Sequence, residues 1–324
     1  MLKWRGLDDI PADWGRCVVT IGVFDGVHRG HRALIRAAVE SARARGVRAV
    51  LMTFDPHPSE VIRPGSHPAQ VSTLSRRAEL AAELGIDVFF VLPFTQELSR
   101  LSPERFVHEL LVEGLHVTEV VVGDNFTFGH KAAGDVESLT ELGMRLGFTV
   151  QGVGLLSEDE ITVSSTYVRS CVAAGDVEAA HAALGRPHRV EGVVVRGERR
   201  GRDLGYPTAN VDCAPYTAIP ADGVYAAWFT RFGYETADAT LVAGTPYPAA
   251  VSVGTNPTFS GHVRTVEAFV LDMDTDLYGQ HVAVDFVARL RPMEPFDSVA
   301  ELITAMAGDV ENTRAVLQAD GRPE

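Results

Sequence analysis

Thr20-Ile21-Gly22-Val23-Phe24-Asp25-Gly26-Val27-His28-Arg29-Gly30-His31 joins two kinds of sequence. Before it, residues 17–23 form a continuous β-rich run. After it, Leu34, Ile35, Ala38, Val39 and Ala42 recur at helical spacing, and Gly46 ends the run. The segment therefore reads as a strand, a glycine turn and the start of a helix. Gly22, Gly26 and Gly30 let the backbone approach a ligand closely. His28 and His31 straddle the helix start, where free amides and the helix dipole favour phosphate. Two imidazoles there can donate to phosphate oxygens and stabilise charge building up on an attacked α-phosphate. Such a transfer needs positioning and electrostatics rather than a side-chain nucleophile. A lone histidine at a helix start reads as an incidental surface residue. The glycines, the turn and the histidine pair together point to a nucleotide site.

The pattern continues outward. Strands are expected at 47–54, 86–92, 119–122 and 148–153. Helices are expected at 76–84, at 104–111 behind the Ser102-Pro103 start, and from Asp135 to Gly147. Alternation of this kind predicts an α/β domain with a doubly wound parallel sheet, whose ligands sit at the carboxyl ends of the strands. Two short helices follow, 166–174 and 177–184. Beyond Gly185-Arg186-Pro187 the chain becomes strand-rich, with runs at 188–195, 223–229, 249–254, 265–270 and 281–290, and a closing helix from 298 to 306 or slightly further. Short strands between turn residues predict a small β-barrel or sandwich. The domains are expected at 1–185 and 186–324.

The 324 residues carry a net charge of −14, with 46% apolar and 22% charged residues. That mix excludes disorder as the main state, and the acidity argues against a nucleic-acid partner. Residues 1–16 lack the apolar core of a secretory signal, and no run of 18 apolar residues would span a bilayer. Cys17, Cys171 and Cys213 are scattered, odd in number and in no Cys-x-x-Cys pair. Buried thiols in a reducing compartment are the reading, and a cytoplasmic location without membrane attachment is expected. The oligomeric state is left open.

His28-x-Gly30-His31 after a first strand resembles the HxGH signature of nucleotidylyltransferases. The run from Gly22 to His28 resembles, more narrowly, the bacterial bifunctional riboflavin kinase/FMN adenylyltransferase (FAD synthetase) family. Three further motifs agree in order: Thr53-Phe54-Asp55-Pro56-His57-Pro58, Gly123-Asp124-Asn125-Phe126-Thr127-Phe128-Gly129, and Ser164-Ser165-Thr166-Tyr167-Val168-Arg169. The resemblance implies catalytic roles for His28 and His31. It implies ATP and FMN binding by Gly22, Phe24, Asp25, Gly26, Gly30, His57, Asn125, Ser164, Ser165, Thr166 and Arg169. The guanidinium fork of Arg169 suits the β- and γ-phosphates. Many relatives have an Asp-Phe-Arg-Phe-Gly type sequence where this chain has Asn125-Phe126-Thr127-Phe128-Gly129. Phe54, Phe126 and Phe128 can line a pocket or pack in the core, and Ser-Ser-Thr before a helix can be a plain cap.

In the second half, Gly205-Tyr206-Pro207-Thr208-Ala209-Asn210 places Thr208 and Asn210 on one side of an extended chain. Their neutral oxygens can join phosphate and water around Mg²⁺, or belong to an ordinary strand end. Residues 196–202 form a Gly/Arg-rich loop, either a flap over phosphates or a solvated turn. Pro207-Thr208-Ala209-Asn210 resembles the riboflavin kinase motif, as do residues 222–226, 253–259, 266–269, 276–279, 290–292 and 296–297. That resemblance implies binding of ATP and riboflavin by Gly201, Gly205, Tyr206, Pro207, Thr208 and Asn210. It implies a metal site at Thr208 and Asn210, and Glu267 as general base on the riboflavin 5′-hydroxyl. The implied enzyme makes FMN from riboflavin and ATP, then FAD from FMN and a second ATP, with Mg²⁺. A chain with one active module, or a non-catalytic flavin or nucleotide sensor, are the alternatives.

Overall fold

The β-rich runs of the first half form a six-stranded, wholly parallel sheet. Its strands are β1 (Leu2–Arg5), β2 (Cys17–Ile21), β3 (Arg48–Asp55), β4 (Val88–Pro93), β5 (Val117–Gly123) and β6 (Thr149–Val153), in the order β1-β4-β3-β2-β5-β6. This is a computed structural model, and it describes residues 1–158, 161–197, 205–233, 241–258, 261–273 and 275–321. Successive strand residues point to opposite faces. Val18 and Leu51 therefore pack with Leu34, Ile35 and Ala38 of α1 (Arg29–Arg45) on one face. Val19 and Met52 pack with Phe106, Leu110 and Leu139 on the other. From β2 the chain moves to β3 and β4 on one side, then crosses back to β5 on the other. The carboxyl ends of β2 and β5 thus mark the point where strand order reverses, the crevice such sheets offer a ligand.

Local chemistry sets the helix ends. Gly46, in the left-handed region at φ 66°, closes α1. His57 caps the short α2 (Pro58–Ile62), and Thr73 caps α3 (Leu74–Glu83). Ser102 and Pro103 open α4 (Pro103–Phe106), which continues as wider i→i+5 turns over Val107–Gly114. Asp135 and Ser138 cap each other's backbone at α5 (Val136–Leu146). After β6, β7 (Ser157–Glu158) and β8 (Ile161–Thr162) pair as a small hairpin. Then come α6 (Ser165–Ala174) and α7 (Val177–Leu184).

Six antiparallel strands close a barrel in the order β10-β13-β12-β11-β14-β9. They are β9 (His188–Val195), β10 (Ala209–Cys213), β11 (Gly223–Arg231), β12 (Pro246–Thr258), β13 (Gly261–Val270) and β14 (His281–Arg291). Tyr225, Phe229, Val251, Val284 and Phe286 fill it. α8 (Val299–Asp320) lies against β11 and β14, with Leu317 packed on Trp228. By spatial proximity the chain groups into two units: Met1–Pro68 with Thr73–Ser164, and Ala69–Ser72 with everything from Ser165 onward.

The architecture is the expected one: a parallel α/β sheet, then a small barrel with a terminal helix. The departures from the sequence reading include α2, the β7–β8 hairpin and three further elements. β1 pairs along β4 as a sheet edge, too short for an alternating pattern to show. β10 is a full barrel strand where only an extended segment was read. α8 runs to Asp320 rather than stopping near 306. Its buried residues there include Asp309 and Thr313, so no apolar stripe announces it.

Candidate functional site

The first cluster lies in the first unit, where β2 ends. Val27 N–H donates to the Phe24 carbonyl at 3.1 Å and closes the turn. Phe24 (φ 52°), Gly26 (φ 81°) and Val27 (φ 41°) all occupy left-handed backbone, a rare state for a β-branched residue. His28 then caps α1: its Nδ1 accepts from the His31 backbone N–H at 3.3 Å. A neutral imidazole accepting at Nδ1 carries its proton on Nε2. The two rings stack with centroids 3.6 Å apart and planes 22° apart, and the Phe24 ring meets His31 edge-on at 5.2 Å. The cap and the stack hold the pair as one rigid unit at the helix N-terminus.

The glycines serve the protein's own side chains. A methyl at Gly30 would stand 3.3 Å from the His28 ring and 3.5 Å from the Val163 carbonyl oxygen. One at Gly22 would stand 3.2 Å from the Phe24 ring. At these two positions the space beside the missing side chain is filled by the rings of His28 and Phe24. Asp25 is buried in an ion pair with Arg77, also buried, at 3.2 Å. His57 caps α2 by accepting from Ser59 N–H at 3.2 Å, and its ring lies 5.3 Å from that of His67. Asn125 is exposed just past β5, the strand beside β2. Phe128 is buried in the core, and Phe54 and Phe126 are half-buried against it. Ser164 is half-buried and follows Val163, whose carbonyl faces Gly30.

Ser165, Thr166 and Arg169 stand on α6 in the second unit. Arg169 Nε donates to the Ala69 carbonyl at 2.6 Å. The second cluster lies on the barrel's outer face. The register sets Asn210 of β10 directly opposite Glu267 of β13, and Glu267 opposite Ser252 of β12. Flanking Ala209, Val211, Val266 and Ala268 are buried inward, so period two turns Asn210 and Glu267 outward together. Thr208 Oγ1 donates to Glu267 Oε2 at 3.4 Å. Tyr206 is fixed edge-on against Phe269 at 5.2 Å, with Gly205 (φ 87°) and Pro207 on either side. Gly201 lies outside the described residues, as does Phe259.

Two cavities meet at this cluster. A narrow one of about 60 Å³ is lined by Thr208, Asn210, Asp276 and Tyr278. A wide one of about 680 Å³ is lined by Asn210, Glu267, Arg169, Arg196 and Arg264. Asn210 and Gly197 border both. The Cys213 thiol in the wide cavity is pushed up to about 12 by burial and by the Asp212 charge, so it offers no nucleophile near neutral pH.

Arg77 was not singled out by sequence reasoning, and Gly197 was read only as part of the Gly/Arg-rich loop 196–202. Arg77 could have been found as a cation on the apolar face of α3, four residues before buried Ala81. The need for glycine at 197 arises from a cross-strand contact with Asn210 and leaves no local signal.

A family model described as FAD synthetase matches residues 10–167, and one described as riboflavin kinase matches residues 184–317. The bifunctional riboflavin kinase/FMN adenylyltransferase of Pseudomonas fluorescens is 37% identical, with 96% of each chain covered. The protein of the same description from Escherichia coli K12 is 36% identical over 94% of each chain. A crystal structure from Streptococcus pneumoniae, described as a macrolide-efflux protein, superposes with TM-score 0.85 at 30% identity, covering 97% of this chain and 99% of its own. Among the described residues no helix is long and apolar enough to cross a membrane.

Proposed function

The chain belongs to the bifunctional riboflavin kinase/FMN adenylyltransferase family, and from that premise we propose how its residues divide two reactions. It is an enzyme of flavin cofactor synthesis. The C-terminal module phosphorylates riboflavin with ATP to give FMN and ADP. The N-terminal module transfers AMP from a second ATP to FMN, giving FAD and pyrophosphate. We take residues 1–185 as the adenylyltransferase domain and 186–324 as the kinase domain. α6 and α7 group spatially with the barrel, yet Ser165, Thr166 and Arg169 belong by motif to adenylyl transfer.

In the adenylyltransferase, a phosphate oxygen of FMN attacks the α-phosphorus of ATP and pyrophosphate leaves. His28 and His31, held at the helix N-terminus, donate to the charge that develops on the α-phosphate. Ser164, Ser165, Thr166 and Arg169 take the leaving phosphates. In the kinase, the riboflavin 5′-oxygen attacks the γ-phosphorus, the bond to the β-phosphate oxygen breaks, and Glu267 accepts the hydroxyl proton. The observation that carries this reading is Glu267 facing Thr208 and Asn210 across the β10–β13 pair at the border of two cavities.

Mg²⁺ suits the donors at hand. Thr208 and Asn210 offer neutral oxygens beside one carboxylate, a set that leaves coordination places for phosphate and water. Bound there, it would neutralise charge on the phosphates. The partners are ATP, riboflavin and FMN. Cys17, Cys171 and Cys213 are free thiols, which supports a cytoplasmic location. The test is an incubation of the purified chain with riboflavin, ATP and Mg²⁺, followed by separation of products. FMN should form first and FAD after it, with ADP and pyrophosphate. Unchanged riboflavin would contradict the assignment and favour a flavin or nucleotide sensor.

A further inference from the structure

Two residues of the glycine turn, Phe24 and Val27, hold positive φ without being glycine, and both are buried at 1% and 0% exposure. Such backbone persists only where its surroundings over-determine it. The Val23 carbonyl accepts from Thr53 Oγ1 at 3.1 Å, a residue of β3, and from Arg77 Nη1 at 3.3 Å, a residue of α3. The same guanidinium donates to Asp25 Oδ1 through Nη2 at 3.2 Å. Arg77 therefore grips the chain on both sides of Phe24. Its planar fork matches that task in a way an ammonium does not. Both partners are out of solvent, Arg77 at 4% and Asp25 at 2% exposure.

What the grip controls is the ring beyond it. Phe24 is set edge-on against His31, and His31 is stacked on His28. A contact path thus runs from α3 through Arg77, Val23 and Asp25 to Phe24 and the imidazole pair. Asp25 is held to Arg77 through Oδ1, and leaving either of these buried charges unpaired is costly. We infer that Arg77, with Asp25 as its counter-ion, is a positioning residue for adenylyl transfer: it holds the strained turn that fixes Phe24 against His31. The inference rests on the reading of His28 and His31 as the adenylyl-transfer site.

The test uses the full chain and four forms: wild type, Arg77→Lys, His31→Ala and the double variant, each assayed for FAD formation from FMN and ATP. His31→Ala should be slow. Arg77→Lys keeps the charge and loses the fork, and should lower kcat roughly 10- to 100-fold with KM for FMN and ATP little changed. FMN formation by the kinase module should stay within twofold of wild type. Because Arg77 acts through His31, the double variant should be no slower than His31→Ala alone. Arg77→Lys at the wild-type kcat, or losses that multiply in the double variant, would overturn the inference while leaving the histidine site standing. His31→Ala at the wild-type rate would overturn the site reading and the inference with it. Should Arg77→Lys melt at a lower temperature, Asp25→Asn with Arg77 intact gives the same comparison: a kcat loss absorbed in the His31→Ala background supports the inference, and a multiplying loss overturns it.

Discussion

Asn210 can sit opposite Glu267 because position 197 carries no side chain. A methyl group there would fall on the Asn210 amide. Gly197→Ala should therefore shift Asn210 away from Thr208 and Glu267 and raise the kinase KM for Mg-ATP roughly tenfold, while FAD formation from supplied FMN stays unchanged. Steady-state kinetics of both reactions would check this, and an unaltered KM for Mg-ATP would contradict it. Residue chemistry was legible in the sequence only in part. That Thr208 and Asn210 share a side follows from period two. That Glu267 faces them does not, because strand pairing joins residues 57 positions apart; the family resemblance supplied it. The His28–His31 pair was readable from spacing. The buried Asp25–Arg77 pair was hidden, since its partners lie 52 positions apart in the chain.

Among the elements, α8 tests the packing account best. Both bonds from the Arg291 guanidinium to the Asp309 carboxylate measure 2.8 Å, and Trp228 Nε1 donates to Asp320 at 2.9 Å. Side-chain exposures of 20% and 9% place the Arg291–Asp309 pair largely out of solvent. Asp309→Ala removes both of these bonds, leaves the arginine only the exposed Glu294 carboxylate at 3.6 Å, and should cost about 3 kcal/mol, seen as a lower midpoint in thermal or urea unfolding. A midpoint equal to wild type would show that the second half of α8 contributes little. α4 and α5 were legible because a cap is written within four residues, at Ser102 and Asp135. β10 was not, because Ala-Asn-Val-Asp-Cys mixes small and polar residues poor in strand preference. Its strand state comes from pairing with both β9 and β13.

At the scale of the whole chain, two folds carry two phosphate chemistries on an acidic protein of net charge −14. The overall sign repels nucleotides, so the proposed binding rests on local features: a helix N-terminus with two imidazoles in one unit, and a cavity bordered by Arg196 and Arg264 in the other. The strand–helix alternation followed by turn-rich strands made this two-part architecture readable in advance. The central claim is that the two reactions use separate residues. Glu267→Gln and His31→Ala, each given riboflavin with ATP and, separately, FMN with ATP, test it most directly. Glu267→Gln should lose FMN formation by at least 100-fold yet convert FMN to FAD at the wild-type rate, and His31→Ala should accumulate FMN without FAD. Loss of both reactions in either variant, with its unfolding midpoint unchanged, would contradict the account.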